Sequence, residues 1–294
     1  MDEKLLKRAR KKFLSVSLAR DLVKIPDSPL NKGYAMTFGC CDTLELNEAG
    51  ELRSLFFCKR RWCQTCASVN MATLINKYHE VMTGLENLQF VTLTVPNCSA
   101  DRIPDTLEYM ATTWRRITDA ARKAGRPMRG LRKIELKVGK GGGYHPHYHI
   151  IVESRKFTAE WIREQWLRRL PQCSEKAQDV RPIEDVEAAL LELMKYATKL
   201  TCAESSGNDV LCTPRQMDTI FRNLHRKRLF QPFGGLKAID EEAFEPTPET
   251  FEKARGLYQW IGHDWYHTKY GQALTNYVPE AMEIAIYQAD RQPK

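Results

Sequence analysis

Two histidines one residue apart, His147 and His149, stand in the run His145-Pro146-His147-Tyr148-His149-Ile150-Ile151-Val152. The apolar end of that run reads as a buried strand. Alternate residues of a strand share a face, so His147 and His149 project together while Tyr148 and Ile150 project the other way. Imidazole nitrogen is a common ligand for divalent metals, so a core strand with paired imidazoles points to a bound ion. Metals that work on phosphate add oxygen ligands and keep positions open for substrate. Glu135, on the strand expected to precede the histidines, is the candidate oxygen ligand across the pair. It shares parity with Lys133 and Lys137, so a place on the polar side of that strand is the alternative. His145 has the parity of the other two, but Pro146 can divert the chain there. A ligand, a phosphate contact and a turn residue all stay open for it.

A nucleophile is offered by Glu192-Leu193-Met194-Lys195-Tyr196-Ala197-Thr198-Lys199. On a helix Glu192, Tyr196 and Lys199 share one face, at spacings of four and three. A tyrosine oxygen can attack phosphorus and form a covalent ester. Its ordinary pKa is about 10, so a nearby cation such as Lys199, or a metal-polarised phosphate, would assist it. A carboxylate one turn away could later activate water. The competing reading is an ordinary amphipathic helix with Leu190, Leu193, Met194 and Ala197 packed inward.

Cys58-Lys59-Arg60-Arg61-Trp62-Cys63-Gln64-Thr65-Cys66 holds a C-x-x-C pair with a third cysteine five residues upstream, and Cys40 or Cys41 supplies a fourth. Four thiolates suit a tetrahedral structural Zn²⁺ site. A redox C-x-x-C, which usually stands beside a βαβ unit, and a set of buried free thiols are the alternatives. Lys59, Arg60 and Arg61 inside the loop are either phosphate contacts or a solvated charge run.

The elements that must position these groups follow from periodicity. Residues 1–24 read as a basic amphipathic helix, either a solvated surface helix or a DNA arm, and residues 25–35 as a loop rich in Pro, Asn and Gly. A helix is expected over 67–85, a strand over 90–95, and a helix over 104–124 with Ile103, Leu107, Met110, Trp114 and Ile117 on one side. Residues 131–138 alternate apolar with charged, and Gly139 to Gly143 turn them back into the histidine strand, as in a hairpin. Helices are expected over 158–170 and 183–204. Residues 240–252 read as an acidic linker or exposed edge, followed by an aromatic-rich C-terminal part.

The chain has 294 residues, of which 43% are hydrophobic and 10% aromatic, as in a folded protein rather than a disordered one. A formal net charge of +8 favours a polyanionic partner, nucleic acid before an anionic membrane surface. No apolar leader and no 18-residue apolar window is present, so the expectation is a cytoplasmic protein with no membrane partner. Its nine cysteines are then thiols or metal ligands rather than disulfides.

Taken in order, the Cys-Lys-Arg-Arg-Trp-Cys-Gln-Thr-Cys loop, Phe-Val-Thr-Leu-Thr-Val-Pro-Asn, His-Pro-His-Tyr-His-Ile-Ile-Val and Glu-Leu-Met-Lys-Tyr-Ala-Thr-Lys form a recognisable series. It resembles the rolling-circle plasmid replication initiators of the HUH endonuclease superfamily. The likeness is closest to the branch with one tyrosine and a glutamate four residues before it. It spans about residues 40–236, including the basic run Arg226-Lys227-Arg228 and Gly234-Gly235. One departure is Gln64, where the family often has Pro.

The resemblance implies an α+β fold: an antiparallel sheet with the histidine strand at its centre, flanking helices and a small N-terminal zinc module. The domains would be a basic helical arm (1–35), a cysteine-rich module and helix (36–85), a nickase domain (86–236) and an aromatic-rich C-terminal segment (237–294). It implies Mg²⁺ or Mn²⁺ at His147 and His149 with Glu135 as the acidic ligand, and structural Zn²⁺ among Cys40, Cys41, Cys58, Cys63 and Cys66. It implies that Tyr196 nicks single-stranded or extruded origin DNA, leaving a 5′-phosphotyrosine and a 3′-OH that primes synthesis, and that Glu192 helps water release the strand at termination. Lys59, Arg60, Arg61, His145, Lys195, Arg226, Lys227 and Arg228 are the candidate DNA contacts, and a host helicase and polymerase the expected partners. A transposase of similar chemistry and a non-catalytic zinc-containing DNA-binding regulator are the competing readings.

Overall fold

The computed structural model describes residues 3–47, 51–126, 128–154, 159–194, 201–203, 209–239, 254–281 and 283–284. In chain order these form α1 (Glu3–Leu22), α2 (Asn31–Met36), β1 (Thr43–Asn47), β2 (Leu52–Ser54), α3 (Gln64–Thr83), β3 (Leu88–Thr94), α4 (Ile103–Lys123), β4 (Arg129–Val138) and β5 (Tyr144–Glu153). They continue with α5 (Ala159–Arg169), β6 (Asp179–Pro182), α6 (Val186–Met194), β7 (Thr201–Ala203), β8 (Asp209–Leu211), α7 (Pro214–Leu224), β9 (Phe230–Phe233), β10 (Ala254–Ile261) and β11 (Asp264–His267). The fold is α+β with antiparallel sheets. The chain divides into two compact units, one of residues 1–70, 213–222 and 242–294, the other of residues 71–212 and 223–241.

The second unit is built on a five-stranded sheet in the order β6-β3-β5-β4-β9, with the histidine strand β5 in the middle. β4 and β5 form the expected hairpin. Gly141 and Gly142 take positive φ at its tip, a conformation glycine adopts without steric cost, and Gly139 N–H donates to the Gly143 carbonyl at 2.7 Å. The register pairs Lys133 with His149, Glu135 with His147 and Lys137 with His145.

Both faces of the sheet are covered, which is why β5 is apolar between its histidines. On one face Tyr148 packs against Trp114 of α4 and Trp166 of α5, with ring centroids 6.3 and 5.9 Å apart. On the other, Phe90, Leu131 and Ile151 pack with Leu190, Leu193 and Met194 of α6 and with Tyr78 and Met82 of α3. Each fully buried side chain of this kind contributes about 1.5–3 kcal/mol of transfer free energy. α4 buries Ile103, Leu107, Met110, Trp114 and Ile117, as its spacing predicts.

Two expectations for secondary structure are corrected. The helix expected over 183–204 is described only as Val186–Met194, and Thr201–Ala203 is a strand paired with Asp209–Leu211. The antiparallel pairing of the two short segments supplies the backbone partners that a helix there would have supplied internally. The loop expected over 25–35 contains the start of α2, because Tyr34 is fully buried and its hydroxyl donates to Asp218 at 2.7 Å. Tertiary anchoring there outweighs weak local propensity.

The first unit holds a four-stranded sheet in the order β11-β10-β1-β2. Leu44 of β1 lies opposite Tyr258 of β10. Its core joins Ala9 and Phe13 of α1 to Leu44, Trp265, Tyr277 and the cysteines. Among the described residues no helix is long and apolar enough to cross a membrane.

Candidate metal centres and the neighbouring helix

Strand parity brings Glu135, His147 and His149 onto one face, and the hairpin register sets them side by side. Glu135 Oε2 lies 3.2 Å from Nε2 of His147 and 3.2 Å from Nε2 of His149. One ligand atom from each lies within 4.8 Å of the others. The group is largely shielded, with side-chain exposures of 12%, 3% and 18% for Glu135, His147 and His149. His147 Nδ1 is 3.2 Å from the His145 carbonyl oxygen, and His149 Nδ1 is 3.3 Å from Thr92 Oγ1.

These outer contacts orient the rings. A carbonyl only accepts, so a neutral His147 carries its proton on Nδ1 and turns a bare Nε2 toward the carboxylate. Two acceptors then face each other at 3.2 Å. A shared cation resolves that conflict, and two imidazole nitrogens with one carboxylate oxygen suit a divalent metal. Protonation of the ring is the other resolution.

The electrostatics of the group favour metal-ready forms. Burial alone would raise the Glu135 carboxyl, but the adjoining His147 and His149 rings and the charge of Lys133 hold it well below the usual carboxylate range. Burial pushes His147 down and keeps it neutral. His145 is pushed down to about 4, chiefly by burial and then by His147 and Lys137. His145 stands beside the ligand group rather than in it, with Nδ1 2.9 Å from Asn97 Oδ1.

Lys133 was not singled out by the sequence beyond its parity, yet it is buried on this same face. Burial lowers its pKa, partly offset by Glu135.

The sheet face that carries the ligand group also carries α6. Glu192 Oε2 accepts a hydrogen bond from Arg181 Nη2 at 2.6 Å. The Arg181 guanidinium lies 4.7 Å over the Phe90 ring, and Phe90 is 5.7 Å from the His149 ring. Arg181 escapes local sequence reasoning because only the pairing of β6 with β3 sets it opposite Phe90. Lys195, Tyr196 and Lys199 lie outside the described residues.

In the first unit, Cys40, Cys58, Cys63 and Cys66 are buried with their sulfurs within 4.8 Å of one another. The Cys40–Cys66, Cys40–Cys63 and Cys58–Cys66 Sγ distances are 3.4, 3.5 and 3.7 Å. A disulfide needs about 2.05 Å. Four thiolates on one Zn²⁺, each at about 2.3 Å, stand about 3.8 Å apart. The group therefore fits a tetrahedral ion. Backbone N–H groups of Cys58 and Lys59 donate to Cys40 Sγ at 3.4 Å and Cys66 Sγ at 3.3 Å.

Of the two adjacent cysteines, the four-sulfur group takes Cys40. Cys41, at a positive φ of 53°, instead receives a 3.8 Å contact from Arg8. Its thiol is lowered to about 6, first by the hydrogen bond with Cys40 and also by Arg8.

Among the proposed DNA contacts, Lys59 is exposed and Arg60 and Arg61 are half-buried, with Arg60 Nη2 3.1 Å from Met36 Sδ. Arg226, Lys227 and Arg228 are exposed between α7 and β9.

Residues 49–257 match the family described as Replication protein. The chain belongs to that family. The matched stretch contains Cys58, Cys63, Cys66, Glu135, His147, His149 and Glu192, and leaves Cys40 and Cys41 outside. A family relative in Lentilactobacillus hilgardii, Protein rep, is 26% identical over 194 residues, covering 58% of this chain and 60% of the relative. The chain thus spans about three fifths of that relative's length. No solved structure matches the chain.

Proposed function

We propose that the protein initiates rolling-circle replication of a plasmid by nicking single-stranded origin DNA at a metal-assisted tyrosine site. The observation that carries this reading is the shared sheet face: Glu135, His147 and His149 converge there, and α6, which leads to Tyr196, packs on it. Membership of the Replication protein family supports the replication role.

Glu135, His147 and His149 would hold Mg²⁺ or Mn²⁺. Such an ion, when bound, polarises the scissile phosphate and orients it. Burial favours the neutral form of His147, and Glu135 is held ionised, the forms in which these two can ligate. Tyr196 attacks phosphorus: the Tyr196 oxygen–phosphorus bond forms, the bond to the 3′ oxygen breaks, the phenolic proton is lost to solvent or to a neighbouring base, and the departing 3′ oxygen takes a proton from solvent. The products are a 5′-phosphotyrosine and a free 3′-OH. Lys199 stabilises the phenolate. At termination Glu192 takes a proton from water, whose oxygen bonds to phosphorus as the bond to the Tyr196 oxygen breaks; Tyr196 regains a proton and the strand leaves with a 5′-phosphate. The Cys40, Cys58, Cys63 and Cys66 group would hold a structural Zn²⁺.

The basic residues Lys59, Arg60, Arg61, His145, Lys195, Arg226, Lys227 and Arg228 would contact the DNA backbone, so affinity would fall steeply with salt. The expected compartment is the cytoplasm, with host helicase and polymerase as partners. A transposase would share this chemistry, and inverted repeats flanking the gene would favour it.

The deciding experiment incubates the protein with labelled origin strands and Mn²⁺ and resolves the products on a denaturing gel. A covalent protein–DNA band that disappears in Tyr196→Phe is expected. No band on any origin-derived strand, or a band that persists in Tyr196→Phe, overturns the reading.

A further inference from the structure

Opposite the metal-ligand face of the five-stranded sheet, a cleft of about 500 Å³ opens between α4 and the edge formed by β4 and β9. Arg132 and Glu135 have opposite parity on β4, so the cleft and the ligand group lie on different faces. Trp114, Arg115, Arg122, Arg132, Gln231 and Phe233 are among the residues lining it. The cleft lies within the range typical of small-molecule sites.

Arg132 forms the floor. Its guanidinium lies 4.4 Å over the Tyr148 ring and 5.4 Å from the Trp114 ring. It donates through Nη2 to Gln231 Oε1. Its Nη1 is buried without a hydrogen-bond partner, and none of the described carboxylates ion-pairs with it. Arg132 as a whole is half-buried, and a guanidinium partly withdrawn from water without a counter-ion is unfavourable, so burial lowers its pKa.

At the rim, Arg115 and Arg122 hold Glu108 and Asp119 at 3.3 and 3.2 Å in exposed pairs, which exchange readily for a better anion. Trp114 and Phe233, with rings 5.3 Å apart, supply an aromatic wall. The wall is built to close tolerance. Gly234 sits at φ +68°, where a Cβ would lie 1.9 Å from the Met128 carbonyl oxygen.

Three guanidiniums suit phosphate oxygens, and aromatic faces suit a base. We infer that this cleft binds a nucleotide, with its phosphate toward Arg115, Arg122 and Arg132 and its base against Phe233, whose ring is backed by the buried Trp114. The same chemistry is offered by a free nucleoside phosphate and by one unit of a single DNA strand. The inference does not depend on the nicking chemistry, since it concerns the other face of the sheet.

The test uses the full chain without added divalent metal, so that nicking plays no part. Equilibrium dialysis measures dATP binding, and fluorescence anisotropy measures an oligothymidylate of about ten nucleotides. Arg115→Ala/Arg122→Ala alters exposed residues only, and Arg132→Gln alters the floor. Arg168→Ala/Lys176→Ala removes equal charge elsewhere on the same unit. Saturable binding that both cleft variants weaken by about tenfold or more, while the distant pair leaves it within about twofold, is the expected result. Loss confined to the oligonucleotide assigns the site to the DNA strand, and loss of dATP binding as well assigns it to free nucleotides. No saturable binding of either probe, or equal loss in the distant pair, overturns the inference.

Discussion

The Glu192 carboxylate is held by Arg181, whose Nη2 donates to Glu192 Oε2 at 2.6 Å. Both side chains are exposed by more than two fifths, 46% and 42%, so the pair adds little to stability. Its consequence is orientation. Arg181 rests on Phe90, Phe90 lies beside His149, and Glu192 is thereby tied to the strand that carries the metal ligands.

Arg181→Ala should therefore leave folding nearly intact, with a loss below about 1 kcal/mol. Formation of the covalent tyrosine adduct should persist, while strand release at termination slows. Single-turnover nicking and release, followed separately on one labelled substrate, check this. Equal slowing of both steps would remove Arg181 from a role through Glu192.

Metal binding should register as thermal stabilisation. Mn²⁺ at about a hundred times its Kd should add about 2.7 kcal/mol to the wild-type protein. Glu135→Ala should lose most of that gain, because it removes the carboxylate that lies 3.2 Å from both imidazoles. Melting curves with and without Mn²⁺ provide the comparison. An unchanged gain in Glu135→Ala would place the ion elsewhere.

The same centre sets a pH dependence. A proton on His147 competes with a metal at Nε2, and burial lowers its pKa, so the competition begins below the ordinary imidazole value of about 6.5. Glu135 is held low and stays ionised through this window. Mn²⁺ affinity by calorimetry should stay level from about pH 8 to about pH 6.5 and decline on further acidification. Decline already complete at neutral pH would contradict the assignment.

The two adjacent cysteines separate cleanly in a metal assay. Cys40→Ser should lose zinc and destabilise the first unit, since one sulfur of the four-sulfur group is gone. Cys41→Ser should retain the ion, as its sulfur faces Arg8. Zinc content of the purified proteins decides it, and loss in Cys41→Ser alone would reverse the assignment.

Local periodicity made the β4–β5 hairpin, α4 and the shared parity of Glu135 with the histidines legible in the sequence. A strand's alternation and a glycine turn carry that information within a few residues. The choice between Cys40 and Cys41 was not legible, because it depends on which sulfur reaches Cys58, Cys63 and Cys66 once the chain has folded and which meets Arg8. Arg181 was hidden for a different reason: the contact needs an edge strand far along the chain to pair with β3. Arg132 read only as the charged half of an alternating strand, and its burial depends on Tyr148 and Trp114 arriving from β5 and α4. The helix expected as far as residue 204 was misjudged at Thr201–Ala203, which found a strand partner instead.

The pairing of β1 with β10 joins residues 43–47 to residues 254–261. During synthesis the cysteine loop leaves the ribosome long before its sheet can close, whereas the β4–β5 hairpin can form as soon as it emerges. At about 5–20 residues per second, the intervening two hundred or so residues impose a delay of roughly 10–40 s. The thiols at Cys40, Cys58, Cys63 and Cys66 pass that interval without the strand that completes their shelter, so early capture of an ion by the nascent loop would guard them from oxidation until the last strands arrive.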